Sequence, residues 1–195
     1  GVTQRAALLE AMLDDLYGPR KLLHEGLLPP ALMLRHPGYL RPMQGVQPPG
    51  GLRLHIVAFD LARGPEGDWW VVAQRTQGPS GLGYVLHNRL TISRQFPDAF
   101  RELRIQRIAS SYRRLLDTLE ASARVLAGGH TPRIVLLTPG PYSETYFEHA
   151  YLARYLGLPL VEGGDLAVRN GRLFLKTVEG LEPVHGVLRR LDDDW

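Results

Sequence analysis

The sequence contains no cysteine. Disulfides, thiolate metal sites and a cysteine nucleophile are therefore excluded. Lysine is nearly absent, occurring only as Lys21 and Lys176, so arginine supplies almost all of the positive charge. Arginine suits bidentate contacts to carboxylate and phosphate, although an arginine-rich composition also arises without any functional cause. The formal charge is only +3 and the pI is near 9.4. No basic block comparable to a nucleic-acid-binding arm is present, so a nucleic-acid partner would rest on pI alone and none is expected. No apolar run approaches the length of a membrane span, and the start does not read as a signal peptide. No membrane partner is expected, and a cytoplasmic location is the default.

What is there is enough for a core. The 195 residues are 44% hydrophobic and 22% charged, as in globular domains. Residues 3–16 carry a helical apolar stripe that Gly18-Pro19 ends. Residues 26–51 are rich in Pro and Gly, but the interleaved Leu32, Leu34, Tyr39 and Leu40 predict an ordered, packed segment. Leu52–Leu61 and Trp69–Arg75 read as a hairpin across Gly64–Asp68. A long amphipathic helix is expected over about 97–126, closed by Gly128-Gly129. The stretch 127–131 is the expected boundary between a first domain (1–126, α+β) and a second (131–195). In the second, Arg133–Thr138, a helix ending at Leu156 and Leu158–Glu162 read as a βαβ unit, so it is expected to be α/β with a parallel pair. Thr145 and Glu148 stand at capping-box spacing. Asn170-Gly171 predicts a tight hairpin, and Val184–Leu191 a last strand. The chain starts inside a helix and stops just after an apolar stretch, which predicts a truncated segment of a longer parent.

Four places offer chemistry. The run Arg75-Thr-Gln-Gly-Pro-Ser-Gly-Leu-Gly-Tyr-Val-Leu-His-Asn-Arg89 follows an apolar strand. Its Gly81 and Gly83 N–H groups between Arg75 and Arg89 fit a phosphate cradle; a tight turn that needs glycine explains the run equally simply. Gly140, Ser143 and Thr145 lie at a strand-to-helix turn whose free N–H groups favour an anion, or form an ordinary cap. Glu162-Gly-Gly-Asp165 follows the carboxyl end of a strand, where ligands bind in open α/β sheets; a solvated turn is the alternative. Arg189-Arg190-Leu-Asp192-Asp-Asp194 pairs arginines with three carboxylates whose repulsion calls for a neutralising cation, and such hard oxygen ligands suit Mg²⁺; a plain salt-bridged strand end is the alternative. The seven histidines show no metal-ligand spacing on a helix and read as packing or surface residues. Ser80 and Ser143 have no neighbouring base, which argues against a hydrolase.

Three strings, taken together, resemble a known family. They are Arg75–Tyr84 with Asn88-Arg89, Thr138–Ala153, and Glu162–Leu166 followed by Leu188–Asp194. In this order they resemble the circularly permuted ATP-grasp proteins related to glutathionylspermidine synthase, and Pro29-Pro30 and His36–Pro42 also fit. The resemblance implies ATP and Mg²⁺ as cofactors. It also implies an ATP-dependent ligase that phosphorylates a carboxylate and lets an amine displace the phosphate. The partners would be a small-molecule or peptide carboxylate and amine, and the remainder of the parent chain. On this reading Arg75, Arg89 and Arg190 are the catalytic cations. Ser80, Gly81, Gly83 and Asn88 lie near nucleotide phosphates. Gly140, Tyr142, Ser143, Glu162 and Asp165 form the substrate side. Asp60, on the hairpin, is the first metal ligand, with Asp192 and Asp193 as further candidates. The sequence departs from the family pattern at Gln74, His87 and Ser143, where Asp, Glu and Asn are usual. A neutral amide at 74 binds Mg²⁺ more weakly than a carboxylate. The fragment is therefore expected to be inactive alone, and a non-catalytic binding or scaffold module is the rival.

Overall fold

A computed structural model describes residues 1–191. The chain divides into two compact units, the first ending at Pro79 and the second starting at Ser80. The boundary expected at 127–131 lies within the second unit.

The first unit opens with helix α1 (Val2–Tyr17), followed by the short helices α2 (Lys21–His24) and α3 (Pro30–Leu34). The Asp15 carboxylate accepts the Lys21 and Leu22 N–H groups at 2.9 and 3.0 Å, supplying the orphan donors of α2 with a partner. The Pro/Gly-rich stretch is tied to α1 by side chains. The Tyr39 hydroxyl donates to Gln44 Oε1 at 2.8 Å, and Gln44 Nε2 donates to the Gly18 carbonyl at 2.9 Å. Strands β1 (Ala58–Arg63) and β2 (Trp69–Arg75) form the hairpin, antiparallel with a bulge between Asp60 and Leu61. β1 starts later than the expected Leu52. The Arg53 and Leu54 N–H groups donate to the Glu10 carboxylate at 2.9 and 2.6 Å, so that stretch follows α1 rather than a strand partner.

The second unit is mixed helix and sheet. A three-stranded parallel sheet runs in the order β4 (Leu160–Val161), β3 (Ile134–Leu137), β8 (Gly186–Arg189), and an antiparallel sheet joins β5 (Leu166–Arg169), β6 (Arg172–Thr177) and β7 (Gly180–Pro183). Val135 and Leu136 of β3 and Leu152 of α7 (Tyr146–Leu156) are fully buried and centre the core. The βαβ expectation holds, with shorter strands than the sequence suggested. The hairpin at Asn170-Gly171 is present, both residues having positive φ (50° and 71°) as a tight turn of this kind requires.

The long helix does not run unbroken. The chain forms α4 (Leu82–Gln95), α5 (Pro97–Glu102) and α6 (Ala109–Leu126). Arg104 has a φ of 50°, which no helix interior tolerates, and the Arg89 guanidinium of α4 donates to the Gln106 carbonyl in the break at 3.1 Å. Apolar periodicity on both sides of the break hid it.

Candidate functional site

The carboxyl ends of the three parallel strands lead to Thr138, Glu162 and Arg190. This is where an open α/β sheet offers a crevice. The Thr138 N–H donates to the Val161 carbonyl and the Arg190 N–H to the Leu137 carbonyl, both at 2.9 Å, so all three strand ends are held in register.

Beneath this edge lies a buried polar network. The Glu148 side chain, on the first turn of α7, is 0% exposed, and the Arg190 side chain is 1% exposed. They pair at 2.9 Å through Glu148 Oε1. The second carboxylate oxygen, Oε2, accepts the Gly81 N–H at 2.8 Å. The next residue, His149, is also buried; its Nδ1 lies 2.9 Å from the Thr138 hydroxyl, which accepts the Gly140 N–H at 3.3 Å. Burial, reinforced by the Arg190 charge and opposed by Glu148, pushes the His149 pKa below its usual value, which favours the neutral ring. The Tyr112 hydroxyl of α6 donates to the Leu82 carbonyl at 2.5 Å. Burial, then the charge of Glu148, raises its pKa.

Several site residues fall in this network, in roles the sequence did not show. Gly81 is in the left-handed region (φ 113°), as expected of a glycine turn, but its N–H is taken by Glu148 rather than open to a phosphate. Gly83 is buried inside α4, where a Cβ would lie 2.7 Å from the Glu148 Cγ and carbonyl oxygen. Its glycine serves the close approach of α4 to α7. Arg190, expected as a catalytic cation, is turned inward onto Glu148. Gly140 adopts φ 103° and a Cβ there would stand 3.2 Å from the Glu162 carboxylate, so these two residues, both expected on the substrate side, lie together. Glu162 and Asp165 cap the 3-10 turn between them, the Glu162 N–H donating to Asp165 Oδ2 at 2.8 Å. Tyr142 is 99% exposed, and the Ser143 hydroxyl lies 3.0 Å from Thr145 Oγ1. Ser80 and Asn88 are exposed. Arg89 sits about 12 Å along α4 from Gly81 at 1.5 Å per residue and is engaged with Gln106 and the Phe100 ring, away from the glycine turn.

Glu148 is the residue that sequence reasoning missed. The Thr145–Glu148 spacing reads as a capping box, yet Thr145 makes no side-chain cap bond and Glu148 points into the core. Its one signal is a charged residue in the otherwise aromatic and apolar stretch Tyr146–Leu152.

In the first unit, Asp60 and Arg75 form an exposed ion pair at 2.6 Å across the hairpin. Asp60 pairs in register with Ala73, and Gln74 with Phe59; residues paired across the ladder share a face and neighbours alternate, so Gln74 projects from the face opposite Asp60. A carboxylate at 74 would not join Asp60 on one ion. Among the described residues no three His, Asp or Glu side chains gather as a metal site, and Asp60 is already neutralised by Arg75. Asp192 and Asp193 lie outside the described residues. A cavity of about 510 Å³ opens between α6 and the end of α7, lined by Tyr112, Arg113, Arg154 and Tyr155 among others; of the polar network described above, only Tyr112 lines it.

The parallel sheet edge and its glycine turns belong to an ATP-grasp protein. The chain is a member of the circularly permuted ATP-grasp type 2 family, whose model matches residues 1–195. It is 45% identical over 192 residues to the uncharacterized protein Rv2567 of Mycobacterium tuberculosis, covering 98% of this chain and 22% of that protein. It is 41% identical over 197 residues to the uncharacterized protein sll0335 of Synechocystis, covering 100% of this chain and 40% of that protein. To the uncharacterized protein Rv2411c of M. tuberculosis it is 39% identical over 193 residues, 99% of this chain and 35% of that protein. The chain thus spans well under half the length of these curated relatives.

Proposed function

We propose that this chain acts as part of a longer, soluble, cytoplasmic protein, an ATP-dependent carboxylate–amine ligase akin to glutathionylspermidine synthase. It supplies the substrate-side sheet edge, and alone it turns over little or no ATP. The observation that carries this reading is the convergence of Thr138, Gly140, Glu162 and the Gly81 turn around the carboxyl ends of three parallel strands. Family membership adds ATP and Mg²⁺ as the group's usual cofactors. Asp60, Asp192, Asp193 and residues of the remaining chain are the candidate ligands of the metal, which would keep waters and nucleotide oxygens in its other positions. Ser80, with the exposed Tyr142, Glu162 and Asp165, makes up the accessible side of the edge, where a carboxylate substrate and an amine would be recognised.

Calorimetric titration of Mg-ATP into the longer protein and into this chain, side by side, tests the reading. Binding by the longer protein alone is expected. Binding by both would place the nucleotide contacts within these residues, and binding by neither would overturn the ligase reading. Arg75→Gln and Arg89→Gln in the longer protein test the two remaining arginines: unchanged ATP turnover removes each from the site.

The second reading is a binding or scaffold module that kept the fold and lost metal binding. It is favoured by the hairpin, where Arg75 occupies Asp60 and Gln74 stands on the other face. It predicts folding and partner binding by the longer protein with no ATP turnover.

A further inference from the structure

We infer that Glu148 is a positioning residue that joins the glycine-rich turn and the sheet edge into one composite site. The inference rests on the ligase reading for the ligands of that site, while its geometry stands independently.

Three separate segments meet at this one carboxylate. Oε1 holds Arg190, whose own backbone N–H is bonded to the end of β3. Oε2 holds the Gly81 N–H, where α4 begins. The side chain itself is anchored on α7, whose following residue, His149, holds the Thr138 hydroxyl and through it the Gly140 N–H. Two consecutive side chains of one helix turn thus set the positions of the α4 start, the turn after β3 and the residue after β8. Charge-assisted hydrogen bonds to both oxygens fix these distances more tightly than apolar packing would. The missing Cβ of Gly83 lets the α4 backbone come close enough for the Gly81 bond to form.

Stability alone is a poor account of such a pair. Burying two charges costs about as much as their attraction returns, and apolar replacements of similar volume are often neutral or stabilising. What an apolar pair cannot do is accept the Gly81 N–H. Glu148 is wholly buried; it acts through the Gly81 turn, whose neighbour Ser80 is exposed, as are Glu162 and Tyr142 of the sheet edge.

The test is the double variant Glu148→Met, Arg190→Met in the longer protein, which removes both charges while keeping the volume. Glu148→Gln, of the same length but uncharged, serves as the single-site companion. Hydrogen exchange at the Gly81 amide, thermal melting and ATP turnover are read on each. A positioning role predicts that the double variant melts near the parent temperature, exchanges Gly81 faster, and loses at least about tenfold in turnover, since a misplacement of about 1 Å costs up to about a hundredfold. Full turnover in a folded double variant would overturn the inference, as would a Gly81 amide equally protected in parent and variant. Should the double variant fail to fold, Glu148→Gln decides by the same two readouts. Should the parent itself turn over no ATP, the ligase reading fails, and Gly81 exchange still settles whether Glu148 holds the turn.

Discussion

Replacing Glu148 by Ala leaves the Arg190 guanidinium buried beneath the sheet edge without this carboxylate. Loss of one partner of a buried pair costs about 3–5 kcal/mol, which a urea unfolding curve would show as a large fall in midpoint at unchanged slope. Gly83→Ala drives a Cβ against the backbone carbonyl of Glu148, a contact that no rotamer change relieves, and should cost about 1–3 kcal/mol by the same measurement. His149 makes a pH prediction. Its pKa is depressed in the folded state, burial being the main cause, so below about pH 6.5 the unfolded chain binds more protons than the folded one. The contribution is complete above pH 6.5 and is lost as pH falls through the lower folded value. Urea curves between pH 7.5 and 5 should show stability decreasing with acidity, and the difference from a His149→Gln variant isolates the histidine from the carboxylates. None of these roles was visible residue by residue. A glutamate three positions after a threonine reads the same whether it caps a helix or enters the core, and which occurs depends on Gly81 and Arg190, distant in sequence.

At the scale of elements, local chemistry that is complete in itself was legible. The Asn170-Gly171 turn needs positive φ at both positions, and only a few residue types supply it. The run Ile134–Leu137 is apolar on both faces because the parallel sheet is covered on both. The failures are places where a partner element intervened. Glu10 took the N–H groups that would have extended β1, and Arg89 pinned the break between α5 and α6. The hairpin β1–β2 carries its own test. Gln74→Asp should not raise Mg²⁺ affinity jointly with Asp60, because the ladder sets the two on opposite faces; a magnesium titration that showed a gain requiring both residues would contradict the register. Trp69 and Trp70 are 65% and 63% exposed on this hairpin, and an isolated two-stranded hairpin is marginal in water.

At the scale of the whole molecule the two units differ in their cores. Among the described residues of 1–79 only Met33 and Pro79 are buried, whereas Leu86, Val135, Leu136, Leu152 and Leu188 with others centre the second unit. Residues 80–195 expressed alone should therefore unfold cooperatively in urea, and residues 1–79 alone should show a broad transition of low amplitude, both followed by circular dichroism. Cooperative unfolding of the first piece would mean that its polar ties, such as Glu10 with Arg53 and Leu54, suffice without a dry core. The sequence by itself determined the class of fold, the family to which the motifs belong, the absence of thiol chemistry and the glycine turns, because each is set by residues close together in the chain. Only the tertiary structure decided that Glu148 lies inside, that Arg190 faces it, and that the Gly81 turn is bound to the sheet edge. A buried charge is tolerated only where distant donors meet it, and the meeting of segments far apart in sequence is what folding supplies.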